Sequence, residues 1–169
     1  MNKLLKTLGA IFIAGALAGF TAAGDDGTAA AGSQVTGPAI PGVHLDGFAR
    51  ETLPGMAMSA AYLSVRNSGG EAMRLTGVEL PGLEDATADL HTTVNEDGVS
   101  RMRALPELAI PAGAAIVMAP GGVHLMLHGV RLRAGEQLPL RVHFADGRVV
   151  ELSIPVRQLK AAAEHHHHG

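Results

Sequence analysis

The run PGGVHLMLHG, Pro120 to Gly129, carries an imidazole and a thioether two residues apart in an otherwise apolar segment. In a β-strand, residues two apart project from the same face, so His124 and Met126 are expected to point together. A soft thioether beside an imidazole favours Cu(I), whereas zinc prefers thiolate, imidazole and carboxylate ligands. The pair therefore predicts half of a site for monovalent copper.

A second histidine and methionine lie upstream, in the segment ADLHTTVNEDGVSRMRAL. Its pattern indicates a hairpin with a turn within Asn95–Gly98. A four-residue loop sets His91 directly opposite Met102, and a two-residue loop at Asp97-Gly98 makes them diagonal neighbours on one face. A three-residue loop would separate them, so two of the three simple registers bring the second pair together.

The composition excludes several other classes of site and partner. The chain has no cysteine, which removes thiolate ligands, disulfides and the blue-copper and dinuclear electron-transfer centres that need a thiolate. No nucleophile elbow, His-Glu-x-x-His motif or P-loop is present, so we predict a binding module rather than an enzyme. The net charge of -3, without a basic stripe, argues against nucleic acid as a partner.

Short alternating runs separated by turn residues indicate an all-β domain. The clearest is QLPLRVHFADGRVVELSIPV, where Asp146-Gly147 is a strong hairpin signal. The first half of this hairpin places four apolar side chains on one face: Leu138, Leu140, Val142 and Phe144. Aromatic residues make up only 3% of the chain, so the core is expected to be aliphatic.

The four candidate ligands also follow a known pattern, since His91-x10-Met102-x21-His124-x-Met126 reproduces the H-x10-M-x21-H-x-M signature of the periplasmic PCu(A)C copper chaperone family. The segments AAYLSVRNSG, LHTTVNEDGVSRMR, LAIPAGAAIVMAPGGVHLML and RLRAGEQLPLRVHFADGRVVELSIPV follow the layout of that family. The chain resembles it from about Val43 to Val156.

This resemblance implies a cupredoxin-like fold, an antiparallel β-sandwich or Greek-key barrel. It implies a Cu(I) site formed by the four motif residues and delivery by ligand exchange to a copper-receiving protein, such as an oxidase subunit or another copper chaperone, in cytochrome c oxidase assembly. Two alternatives remain open: copper buffering or resistance without a dedicated recipient, and a metal-free interaction β-sandwich. We expect a monomer without a small-molecule substrate.

The chain ends suggest an exported protein. Residues 1–23 have the basic start, apolar run and small-residue cleavage site of a signal peptide. Residues 24–41 resemble a flexible linker, 42–158 form the domain, and 159–169 are expected to be a disordered tail. Phe20 stands where a bacterial lipoprotein box has its lipidated cysteine, so lipid anchoring at that position is impossible.

Other histidines and methionines have simpler interpretations. His165, His166, His167 and His168 could bind Cu(II) or Zn(II) loosely, and the tail is equally consistent with a native or a vector-derived origin. The Met56-x-Met58 pair could offer two thioethers, although it opens a strand that needs apolar residues anyway. His128 is placed at the rim of the site. The remaining assignments are core for Met73 and Met118, and solvent for His44 and His143.

Overall fold

The computed structural model describes residues 32–158. The predicted signal peptide, residues 24–31 of the predicted linker and the predicted tail from 159 therefore lie outside the described residues. Within 32–158, no helix is long and apolar enough to cross a membrane.

Every regular element between residues 32 and 158 is a β-strand. There are eleven: β1 Gln34–Val35, β2 Val43–Arg50, β3 Met58–Asn67, β4 Met73–Glu79, β5 Thr87–Glu96, β6 Val99–Ala104, β7 Leu108–Ile110, β8 Ala115–Val117, β9 His124–His128, β10 Gln137–Phe144 and β11 Val149–Arg157.

The strands form one sheet that closes on itself. Neighbours run in the order β5-β9-β3-β2-β11-β10-β4, and β4 returns to β5 through the pairing of Val78 with Ala88. The shorter strands flank this closed sheet, with β6 beside β5, β7 beside β4, β8 beside β3 and β1 beside β11. All pairings are antiparallel except that of β2 with β11. The all-β prediction is therefore confirmed, with one parallel pair that local sequence patterns do not encode.

The core is aliphatic, as the composition indicates. Leu138, Leu140, Val142 and Phe144 all point inward and are at most 3% exposed. From the strands that carry the candidate site, Leu90, Leu125 and Leu127 enter the same core. Because side chains alternate along a strand, the residues between them face outward.

Tight turns that contain residues with positive φ set the register of both predicted hairpins. In the β10–β11 hairpin, His143 pairs with Val149 across a turn that contains Gly147, whose φ is 83°. In the β5–β6 hairpin, Glu96 pairs with Val99. Asp97 and Gly98 have φ values of 54° and 78°, and positive φ at both central residues is typical of the type I′ turn.

Part of the segment predicted as a flexible linker belongs to the sheet. Gln34 pairs with Ser153 of β11, and the Ser33 hydroxyl donates to the Gly47 carbonyl at 2.7 Å while accepting from the Gly47 amide at 2.9 Å. These are polar contacts of the main chain and of one hydroxyl group, which require no apolar periodicity. The composition of residues 24–41 therefore gave no indication of the strand.

Candidate metal centre

The four motif residues lie on the outer face of three adjacent strands, β6, β5 and β9. In β9, Leu125 and Leu127 point into the core, so His124 and Met126 point outward. In β5, Leu90 points inward and His91 outward. The sequence prediction that His124 and Met126 share a face is confirmed by this alternation.

The two histidines are direct cross-strand neighbours. His91 of β5 pairs with His124 of β9, and their ring centroids lie 6.0 Å apart with an interplanar angle of 62°. Metal–imidazole bonds of about 2 Å place the centroids of two rings on one ion about 5–6 Å apart. The pair is therefore already spaced for one shared ion.

His124 is held in a defined tautomer. The residue is only 7% exposed, and its Nδ1 lies 3.0 Å from the carbonyl oxygen of Gly122. A carbonyl can only accept, so Nδ1 carries the proton and donates, which leaves the lone pair of Nε2 available to a metal. The same carbonyl accepts from the amide of Thr93 at 3.3 Å, so the orienting group is itself fixed between β5 and β9.

In the described part of the chain, the ring of His91 lacks the kind of hydrogen bond that orients His124. Its Nδ1 is buried and has no hydrogen-bond partner among the described residues. Buried side-chain polar atoms are nearly always paired, because an unsatisfied one costs about 1–3 kcal/mol. A half-buried imidazole with a free nitrogen, facing a second imidazole, fits a ligand better than a structural histidine.

The turn at Asp97-Gly98 places Met102 opposite Thr93. Met102 is therefore a diagonal neighbour of His91 on the outer face, the second of the two favourable registers. It is 57% exposed on the edge strand β6, whereas Met126 is partly buried beside His124. All four candidates share one face, and their role as metal ligands remains a prediction.

Two neighbours of the site were not anticipated from the sequence. Asp89 pairs with Met126 across β5 and β9, and its Oδ2 accepts from the Thr87 hydroxyl at 3.1 Å. Asp89 therefore places a carboxylate on the same face as the candidate centre. Asp89 lies two residues before His91 in one strand, and that spacing could have revealed it. The ring centroid of Tyr62 lies 6.5 Å from that of His124, and no pattern in the nearby sequence predicts this contact.

The other candidates separate by burial. Met73 and Met118 are each 4% exposed within the core, as predicted. His44 is exposed, whereas His143 is partly buried and its Nε2 lies 3.1 Å from Glu79 Oε1. His165, His166, His167 and His168 lie outside the described residues. Within 32–158, no three His, Cys, Asp or Glu residues cluster suitably for a metal ion.

Similar folds occur among solved structures of PCuAC domains. The copper-bound PCuAC domain from PmoF2 is 20% identical, with 72% of this chain and 97% of that chain covered, at a TM-score of 0.59. The solution structure of CuI-DR1885 from Deinococcus radiodurans is 26% identical, with 70% and 80% covered, at a TM-score of 0.56. The fold is thus that of a PCuAC-type domain, which confirms the predicted cupredoxin-like β-sandwich.

Sequence comparison identifies the family. The LpqE-like family model, described as "Putative lipoprotein LpqE-like", matches residues 44–156. "Putative lipoprotein Lxx21020" of Leifsonia xyli subsp. xyli (strain CTCB07) is 31% identical over 169 residues, which cover 98% of this chain and 99% of that relative. The chain belongs to the LpqE-like family.

Proposed function

We propose that this protein is an exported copper chaperone that carries Cu(I) between His91, Met102, His124 and Met126. The observation that carries the proposal is the pair of neighbouring imidazoles, whose ring centroids lie 6.0 Å apart. The thioethers of Met102 and Met126 lie on the same face of the sheet. The similarity to CuI-DR1885 supports copper as the cargo. The lipoprotein names of the family and of the relative support export.

The ligand set favours the monovalent ion. Two thioethers and two neutral imidazoles bring no charge, and soft sulfur selects Cu(I) over Zn(II). Methionine needs no deprotonation, so pH is expected to act on binding mainly through the two histidines. Asp89 adds a single negative charge on the same face, which is less negative charge than a divalent ion favours.

The exposure of the ligands suggests how the ion leaves. Met102 is more than half exposed on β6, and all six residues of that strand are exposed, whereas His124 is almost fully buried. A ligand of a recipient protein can therefore displace Met102 first, without opening the closed sheet. His124 is expected to release the ion last. This sequence of exchange requires no catalytic turnover, and the PCuAC-type fold supports the prediction that the protein is not an enzyme.

The first test is an anaerobic Cu(I) titration against a competing chelator. It uses the full chain with His165, His166, His167 and His168 changed to Ala, so that the tail cannot contribute. We expect one tight equivalent, which is lost in His124→Ala and retained in His44→Ala, an exposed histidine on β2. Undiminished tight binding in His124→Ala, or none in the parent chain, would contradict the site.

A transfer experiment tests whether the protein delivers its copper to a recipient. We propose delivery toward cytochrome c oxidase copper-site assembly, so the loaded protein is mixed with an apo oxidase copper-site domain and the copper content of both is measured after separation. Net transfer supports delivery. Retention of copper at equilibrium, by a chain that binds it tightly, would overturn delivery and favour buffering.

A further inference from the structure

The outer face of β9 continues past the candidate centre to His128. This residue pairs with Met58 of β3 on one side and with Thr87 of β5 on the other. Met58 is 41% exposed and His128 is also exposed. Side chains directly opposite in an antiparallel pair have their Cβ atoms about 4.5–5.5 Å apart. An accessible imidazole and an accessible thioether are thus neighbours here as well.

The donors at this position are not engaged elsewhere. Within residues 32–158, the His128 ring has no hydrogen-bond or ion-pair partner. Met58 begins β3, and a side chain that remains 41% exposed gains only part of its burial free energy, so packing alone gives a weak reason for a methionine. The carboxylate of Asp89 lies diagonally from His128 on the same face and adds a negative charge.

Met126 links this pair to the candidate centre. It is opposite Ala60 and Asp89, midway along β9 between His124 and His128. With a rise of about 3.3 Å per residue, its Cα lies roughly 7 Å from that of each histidine. A flexible thioether at the midpoint can reach toward either side.

We propose that Met58 and His128 form a second position for Cu(I), with Met126 as a ligand that the two positions share. This inference rests on the proposed function. The second position has only two donors of its own, both exposed, and no ring fixed by a backbone carbonyl. It therefore binds the ion more weakly than the pair of His91 and His124.

Methionine methyl groups provide direct reporters for the test. The full chain with the four tail histidines changed to Ala is labelled with [methyl-13C]methionine and titrated anaerobically with Cu(I). The first equivalent is expected to shift the methyl signals of Met102 and Met126, and the second that of Met58. Buried Met73 and Met118 serve as internal controls whose signals remain in place.

Variants separate the two positions. Met58→Leu and His128→Gln are expected to weaken the second equivalent at least tenfold and leave the first unchanged. Met56→Leu is the matched control, because Met56 is similarly exposed but precedes the strand and has no partner in its register. If the Met58 signal remains fixed through two equivalents while Met102 and Met126 shift, the second position is overturned and the proposed function stands. If none of these three signals shifts, both fail.

Discussion

Methionine occupies two different environments in this domain. Met73 and Met118 are buried in the core, whereas Met102 is exposed on an edge strand. Burial of apolar area explains the first two, since each buried methylene contributes about 0.8 kcal/mol. It does not explain Met102, so the chemistry of its sulfur is the better reason for its presence.

At the residue scale, we expect Met102→Leu and Met126→Leu to weaken Cu(I) binding while preserving the fold. Leucine nearly conserves the volume, so each swap costs less than about 1.5 kcal/mol of stability, but it removes the sulfur ligand. The double variant should lose at least tenfold in affinity, or about 1.4 kcal/mol of binding free energy. Competitive titration measures the affinity and thermal unfolding checks the fold. Met73→Leu is the control, and wild-type affinity in the double variant would contradict the assignment.

At the element scale, the end of β9 depends on a close backbone approach. Gly129 has a φ of 73°, its amide donates to the Ala57 carbonyl at 2.8 Å, and a Cβ there would lie 2.6 Å from the Asp85 carbonyl oxygen. The loop before β5 is thereby packed directly against the strand that carries His124. Only glycine satisfies both the backbone conformation and the space.

We therefore expect Gly129→Ala to destabilise the protein more than Gly135→Ala does. Gly135 has a φ of 90° but nothing within 4 Å of its Cβ position, so its substitution costs only the left-handed conformation, about 1–2 kcal/mol. At Gly129 the backbone of the Asp85 loop must also move. Denaturant unfolding of the two variants measures the difference, and equal losses would show that the close contact is relieved at no cost.

The β10–β11 turn gives a pH-dependent prediction. Arg148 donates from Nε to Asp146 Oδ2 at 2.7 Å and from its amide to Oδ1 at 3.0 Å. The side-chain hydrogen bond, then the backbone one, lower the pKa of Asp146 below its ordinary value. Because the folded-state pKa is lowered, the contribution to stability is present above the unfolded pKa and is lost as the pH falls through the folded value.

An NMR titration of the Asp146 carboxyl group tests this prediction. Its midpoint should lie below the usual value of about 3.9 and return toward it in Arg148→Gln. The thermal midpoints of the parent and Arg148→Gln should differ at neutral pH, and the part of that difference due to the charged carboxylate should vanish in acid. An unshifted midpoint in the parent would show that the contact is not maintained in solution.

At the scale of the whole molecule, the candidate ligands come from three strands, two of which belong to the closed sheet. Global unfolding must separate His91 from His124, so an ion held between them is linked to the stability of the entire fold. Edge strand β6 contributes only Met102, whose removal should leave much of this linkage intact.

We expect Cu(I) to raise the free energy of unfolding by about 1.4 kcal/mol for each tenfold excess of free ion over Kd. Chemical denaturation in copper-buffered anaerobic solution measures this slope, with the tail histidines changed to Ala. His124→Ala should show a much smaller effect. A stability independent of copper in the parent chain would favour the metal-free interaction module instead.

The residue types, their spacing and the local strand pattern follow directly from the amino-acid sequence. The alternation that buries Leu138 and exposes its neighbours, and the turn at Asp146-Gly147, are encoded by adjacent residues, so they could be predicted. The same holds for His124 and Met126, which share a face because they are two apart in one strand. The family motif added the expectation that His91 and Met102 join them.

The tertiary structure fixes which strands are neighbours and in which register they pair. It chose the two-residue turn at Asp97-Gly98, paired His91 with His124, and brought Met58 beside His128. It also made β2 and β11 parallel and added β1 to the sheet. Such contacts join segments far apart in the chain, and their register is fixed by how the closed sheet fills its common core rather than by local sequence.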